Sequence, residues 1–372
     1  MTALSALLDL DDADALIAAD SEGALRSAAL AGAQVRATAT EFADGVGDRL
    51  RGMRPRSVVF VAGEGRAGRA ASLVIAAVGS QIGVPLVHTP RTPPWVGPLD
   101  VVLVSGDDAG DPRLAESVAA AVRRGAETIL VTPDEGPLRA AAAGRAVFLP
   151  PRIAVREHNS LMRYLTATMC VLDAVALDNY RSLLPNLDTL ADRLDDEAAR
   201  NHPAHEVFHN PAKALASRIT AGRIVLTGTD PVSVEIARHG SEVLLRAAGV
   251  VATSGELADV VAAVVHAGRA AASTLVDYDP FFHDEQVDGP RPEAGIRVLV
   301  AATPTRAAEA ERRTAALDDA VVLTVSNDDL LVTPQGVPEV PQASAAGDLE
   351  SMTLLATRLE MAAAYLHLMG GR

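Results

Sequence analysis

An α/β protein with two doubly wound, parallel-sheet units, flanked by N-terminal and C-terminal helices, is the fold class predicted by three observations. Residues 56–69 read R-S-V-V-F-V-A-G-E-G-R-A-G-R, a short apolar run that stops at Gly63, Gly65 and Gly68 and leads into an Ala-rich stretch with helical spacing. The same strand–turn–helix design returns at Arg223–Thr227, followed by Gly228, Thr229, Asp230 and Pro231 and by apolar positions at Ile236, Val243 and Leu244. Hydrophobic residues make up 49% of the chain but aromatics only 3%, so the core is built from Ala, Val and Leu, which suits helices packed closely on a parallel sheet.

With 372 residues, burial is ample and two domains are expected. The pattern divides into a helical segment (1–53), a first α/β unit (54–155), connecting helices (156–210), a second unit (211–345) and a terminal helix (346–372). In the first segment, Ser21 is expected to cap a helix through Leu25, Ala28, Leu30 and Val35, and Phe42–Leu50 forms another amphipathic stretch. Strands are expected at Ser57–Ala62, Val84–Val87, Asp100–Ser105, Thr128–Thr132 and Ala146–Leu149, with helices at Arg66–Gln81 and Pro112–Arg124. That alternation implies right-handed crossovers and a parallel sheet. Pro90, Pro93, Pro94 and Pro98 make the segment around Trp95 irregular, so that Trp95 either covers a cleft or packs its loop onto the body.

A long apolar helix is expected from Arg156 to Tyr180. In the second unit, strands are expected at Arg223–Thr227, Val250–Thr253, Ile296–Ala302 and Ala320–Ser326. Helices are expected from Pro231, from Glu256 to Ala271 and from Thr305 to Leu317. Asp277–Glu293, acidic and bounded by Pro290 and Pro292, reads as an exposed loop. Met352, Leu355, Leu359, Ala363 and Leu366 fall at helical spacing in a final helix over 349–368, which packs on the body or on a partner subunit.

The formal net charge is −15, from 33 basic and 48 acidic residues. An excess of acid disfavours nucleic-acid binding, which needs a basic face, but leaves room for a small anionic ligand in one positive pocket. Lys213 is the only lysine and Cys170 the only cysteine, so an intrachain disulfide and a cysteine-based zinc site are excluded. The acidic N-terminus does not read as a signal peptide, and no charge-free apolar run reaches the roughly 18 residues of a membrane span. The expectation is a soluble, cytoplasmic protein without a membrane partner.

A glycine turn between strand and helix aims backbone N–H groups and the positive helix end at one point. Such a turn is either an anion site or a plain tight turn. A nucleotide is disfavoured, because Val87, His88 and Thr89 stand where the acidic ribose ligand would be. Residues 205–209, H-E-V-F-H, match H-E-x-x-H and give a zinc-hydrolase alternative through His205 and His209, with Glu206 as base. Asn210-Pro211 directly afterwards works against the helix that motif needs. His283, Asp284 and Glu285 suggest either a cation site or an acidic surface loop.

Over roughly residues 20–370 the chain resembles the bifunctional phosphoglucose/phosphomannose isomerases, which carry two sugar-isomerase (SIS) domains joined by helices. The family's G-x-G-G-S-G turn is matched by Gly63, Glu64, Gly65, Arg66, Ala67 and Gly68, and its S-Y-S-G-N-T turn by Ser105, Gly106, Asp107, Asp108, Ala109 and Gly110. The R-G-A-x-x-I stretch is matched at Arg124, Gly125, Ala126 and Ile129, and the P-R-x-A element at Pro151, Arg152, Ile153 and Ala154.

The resemblance implies a ligand site lined by Gly63, Gly65, Arg66, Gly68, Ser105, Gly106 and Arg152. It implies a sugar phosphate as ligand (fructose 6-phosphate, glucose 6-phosphate or mannose 6-phosphate), no cofactor and no metal, and a homodimer. It also implies aldose–ketose isomerisation, in which a glutamate moves a proton between C1 and C2. Glu242 is the candidate base. Glu235 lies two turns earlier, and an alternative register puts Leu245 at that position.

Several positions depart from the family. Ala67, Asp107 and Gly110 replace phosphate-binding hydroxyls, Asp259 replaces the histidine, with His239 and His266 expected only in packing or surface roles, and the C-terminal lysine is absent. A carboxylate at Asp107 or Asp108 repels a dianion by about 4 kcal/mol per charge pair at about 4 Å and an effective dielectric near 20. Arg66 and Arg69 either bind the phosphate or pair with those aspartates and close the pocket. Isomerase activity is therefore expected to be weak or lost, with a non-catalytic regulatory or scaffolding role as the alternative.

Overall fold

The computed structural model describes residues 8–175, 182–219, 222–274, 295–325 and 344–370. The chain opens with helices α1 (Ala13–Ala19), α2 (Ala24–Ala29) and α3 (Ala31–Glu41), followed by a π-helical turn at Phe42–Val46 and α4 (Gly47–Leu50). Asp20, rather than Ser21, satisfies the start of α2. Gly23 turns the backbone with φ 67°, and the Asp20 carboxylate accepts from the N–H groups of Ala24 at 2.5 Å and Leu25 at 3.1 Å. Phe42, Val46 and Leu50 bury successive turns of the next segment as the sequence pattern requires.

The first sheet comprises β1 (Ser57–Ala62), β2 (Leu86–Thr89), β3 (Asp100–Ser105), β4 (Glu127–Val131) and β5 (Val147–Phe148), with α5 (Arg66–Val78), α6 (Pro112–Arg123) and α7 (Gly136–Ala142) between them. Every pairing is parallel and the strand order is β2-β1-β3-β4-β5. β1 and β3 are buried along their whole length, which explains why both read as unbroken apolar runs. At their starting ends, the buried Asp100 carboxylate accepts from Arg56, Ser57 and the Gly97 N–H, and the Arg56 guanidinium lies 5.9 Å from the Trp95 ring. Trp95 therefore braces its loop at the end of the sheet opposite the glycine turn.

A 3₁₀ turn at Glu157–Asn159 then leads into α8 (Leu161–Val175), α9 (Leu187–Arg200) and α10 (Pro211–Ile219). The second sheet follows with β6 (Arg223–Gly228), α11 (Pro231–Ala248), β7 (Ala252–Glu256), α12 (Leu257–Thr274), β8 (Ile296–Ala301), α13 (Ala307–Thr314) and β9 (Ala320–Leu323). It too is parallel, in the order β7-β6-β8-β9. β7 begins later than the pattern suggests, because Gly249 (φ 67°) and Val250 first close α11 by bonding back to Leu245 and Leu244. The acidic segment Asp277–Glu293, with His283, Asp284 and Glu285, lies outside the described residues.

The last helix, α14 (Ala345–Leu368), is buried for most of its length: Leu349, Met352, Leu355, Leu359, Ala362, Ala363 and Tyr365 are all buried, and its charged residues Glu350, Arg358 and Glu360 pair with Arg193, Glu197 and His239. It packs most extensively on α11 and also on α10, α2, α9 and α5, so it joins the two halves. No helix among the described residues is long and apolar enough to cross a membrane.

Candidate functional site

In each sheet the crossovers run in opposite directions from one crevice, between β1 and β3 in the first and between β6 and β8 in the second. Crevices of this kind, at the carboxyl ends of parallel strands, are where α/β sheets bind ligands. The first crevice is bordered by the turn Gly63–Arg66 and by the turn after Ser105. Gly65 has φ 94°, a conformation that side chains disfavour, and a Cβ on Gly68 would lie 2.1 Å from the Gly63 carbonyl oxygen. Both glycines are therefore needed to bring α5 against the turn. No side chain caps α5, whereas Asp111 caps α6 and Asp230, in a capping box with Ser233, caps α11.

Two arginines sit in the first turns of α5, where the helix field disfavours positive charge. Each is held by carboxylates from distant segments. Arg66, only 7% exposed, pairs with Glu157 and lies 3.5 Å from Asp107. Glu157 is shared with Arg246 of α11 at 2.7 Å. Asp107 also accepts from the Tyr164 hydroxyl at 2.5 Å and lies 3.8 Å from Arg163, whose guanidinium is 4.9 Å from the Tyr164 ring. Burial pushes the Tyr164 phenol up, so it stays protonated and donates. The Nε and Nη2 atoms of Arg163 and the Nε of Arg66 are buried with no hydrogen-bond partner among the described residues.

Arg69 pairs with both Glu235 and Glu242 of α11, and Glu235 also holds Arg238 at 2.5 Å. Burial works to lower the Arg69 pKa, but the two carboxylates hold it above its usual value. The glutamate expected as base is thus an ion-pair partner of a guanidinium. On the same helix, His239 is fully buried rather than at the surface, 3.0 Å from Glu360, which in turn accepts from Asn159 at 2.9 Å. Glu235, His239, Glu242 and Arg246 recur at three- and four-residue spacing, so one face of α11 carries polar contacts to α5, to the Glu157 turn and to α14.

The remaining expected residues are scattered. Ser105 ends β3 and is buried, and a Cβ on Gly106 would meet Leu114 at 2.6 Å. Arg152 forms a two-pronged ion pair with Glu41 of α3, both contacts at 2.6 Å, on the exposed surface. Asp108 bonds the Gly110 N–H at 2.7 Å and closes its own turn, whereas Asp107 pairs with Arg66 as one reading of the sequence anticipated. Asp259 is exposed in the first turn of α12, Leu245 is exposed on α11, and His266 is at the surface.

The zinc alternative fails on geometry. Residues 207–209 form a 3₁₀ turn, Glu206 is extended (ψ 158°), and Lys213 Nζ takes the carbonyls of Pro203 and His205 at 2.8 and 2.7 Å. His205 and His209 therefore do not share the face of an α-helix. Among the described residues no group of three or more His, Cys, Asp and Glu is placed to hold a metal. The residues that sequence reasoning missed are Glu157, Arg163 and Tyr164. The last two sit in the apolar run L-M-R-Y-L-T-A-T-M, where a buried arginine beside a tyrosine is the available signal.

The class that the architecture defines is the SIS-type phosphosugar-isomerase fold, with two parallel sheets in two α/β units. No protein-family model matches the sequence, and no curated protein matches it. Solved structures do match. A protein from Silicibacter pomeroyi, provisionally assigned as a phosphosugar isomerase, superposes with a TM-score of 0.59 at 16% identity, covering 92% of this chain and 96% of its own. Tagatose-6-phosphate ketose/aldose isomerase from Escherichia coli gives 0.52 at 14% identity, covering 90% and 91%. The C-terminal domain of glucosamine-fructose-6-phosphate aminotransferase from Francisella tularensis gives 0.53 at 11% identity, covering 91% and 94%. At these identities the likeness is one of fold.

Proposed function

We propose that this protein binds a sugar phosphate in the crevice between β1 and β3 and that aldose–ketose isomerisation there is weak or lost. The observation that carries the reading is the uncapped N-terminus of α5, with Arg66 and Arg163 beside it, at the ligand-binding edge of the sheet. Weak turnover follows from the pairing of Glu242 with Arg69, which ties the candidate base to a guanidinium instead of leaving it free to face a substrate carbon. The narrower placement among bifunctional phosphoglucose/phosphomannose isomerases rests on the partial turn motifs, and a homodimer belongs to the same proposal.

The purified chain is expected to melt at higher temperature with fructose, glucose or mannose 6-phosphate, by an amount that grows with ligand concentration. A coupled assay for interconversion of those sugars is expected to show little or no turnover. Rapid turnover that Glu242→Gln removes would establish an active isomerase instead. If no sugar phosphate shifts the melting, the binding reading fails and the regulatory or scaffolding role takes its place. Light scattering of the same preparation checks the dimer, which a mass equal to one chain rules out.

A further inference from the structure

We propose that Arg66, Arg163 and the Tyr164 hydroxyl form a receptor for a phosphate group, and that Asp107 occupies this receptor as an internal ligand which the incoming phosphate displaces. The inference rests on the sugar-phosphate reading for the identity of the physiological ligand, but its geometry stands alone. Donors from α5 and α8 converge on a single carboxylate, at 3.5 Å from Arg66, 3.8 Å from Arg163 and 2.5 Å from Tyr164. That carboxylate leaves the set unfilled. Arg163 is 7% exposed, yet its Nε and Nη2 have no partner among the described residues, and neither has Arg66 Nε. An unsatisfied buried donor is costly, and a guanidinium offers five N–H groups in a planar fork suited to phosphate.

A phosphate monoester brings three acceptor oxygens and a charge of about −1.5 to −2 near neutral pH, against two oxygens and a single charge for Asp107. Arg66 is the first residue of α5, whose N-terminus has no side-chain cap and favours added negative charge. Burial is divided accordingly. The Arg66 and Arg163 side chains are each 8% exposed, whereas Asp107 is 34% exposed on the turn after β3, so turning it toward solvent would not unpack the core. Glu157 continues to neutralise Arg66 through its contact with α11 and does not need to move.

The test compares full-length wild type with Asp107→Asn and Asp107→Ser by isothermal titration with inorganic phosphate and, separately, glucose 6-phosphate, at matched ionic strength. Asp107→Asn is expected to bind inorganic phosphate at least tenfold more tightly than wild type, and adding Arg163→Gln is expected to abolish the gain. Asp107→Ser serves if the asparagine variant folds poorly by circular dichroism. Phosphate affinity unchanged or weakened in both folded variants overturns the proposal, as does a gain that survives Arg163→Gln. If the variants gain phosphate affinity while no sugar phosphate binds any of the proteins, the internal ligand stands and the sugar-phosphate reading falls. If wild type binds glucose 6-phosphate and the variants bind it no tighter, the reverse holds.

Discussion

His158 shows how the local charge pattern reaches a single side chain. Burial first, then Arg156, Arg66 and Arg246, push its pKa down to about 4, against the partial opposition of Glu157. An unfolded histidine titrates near 6.5, so between about 4 and about 6.5 the unfolded chain takes up a proton that the folded chain refuses. The sign follows: this residue's contribution to stability falls as the pH drops through that window and is level above it. His158→Gln, neutral throughout, is expected to gain on wild type at pH 4.5 relative to pH 7 in urea midpoints. Parallel profiles for the two proteins would refute it. The glycine turn beside this cluster was legible in the sequence because φ and close approach restrict those positions to glycine. The cluster itself was not, because Arg66, Asp107, Glu157 and Arg246 meet only through the tertiary fold.

Helices α5 and α11 meet along a seam that carries charge, and the asymmetry of buried ion pairs makes it testable. Removing Arg69 leaves Glu242 without its cation and Glu235, only 8% exposed, with Arg238 alone. Arg69→Leu is expected to cost about 3–5 kcal/mol, the range for breaking a buried pair by deleting one partner. Glu242→Gln leaves Arg69 paired with Glu235 and keeps an acceptor, so about 1 kcal/mol or less is expected. Equal losses in chemical denaturation would show that Glu235 does not hold Arg69. At this scale the sequence indicated each helix but not its neighbour. For α14, heptad-like spacing of Met352, Leu355 and Leu359 was visible, while only the packing of Ala362, Ala363 and Ala364 shows that it is enclosed on all sides. Small residues carry no periodic signal, and an alanine-rich source composition hides them further.

The repeated strand–turn–helix design made the two sheets readable from sequence, because parallel strands buried on both faces leave apolar runs at β1, β3 and the Val298–Ala301 end of β8. How the two halves depend on each other was not readable, and it decides how the molecule unfolds. If they met only through a linker, each would melt alone. Instead α14 contributes to both cores, while Glu360 on it bonds Asn159 before α8 and His239 on α11. Detaching either half exposes apolar α14 surface and strands a buried carboxylate, so a half-folded state loses much of its own core. The expected outcome is one cooperative thermal transition. Trp95 is the single tryptophan and lies beside the first sheet, so its emission follows that half alone, whereas far-ultraviolet circular dichroism follows all helices. Coincident midpoints by the two probes, with calorimetric and van't Hoff enthalpies in agreement, fit a molecule whose crevice between β1 and β3 is held by the second half as much as by the first. A tryptophan transition well separated from the circular-dichroism midpoint would show two independent domains, and α14 would then be a surface brace rather than a shared core.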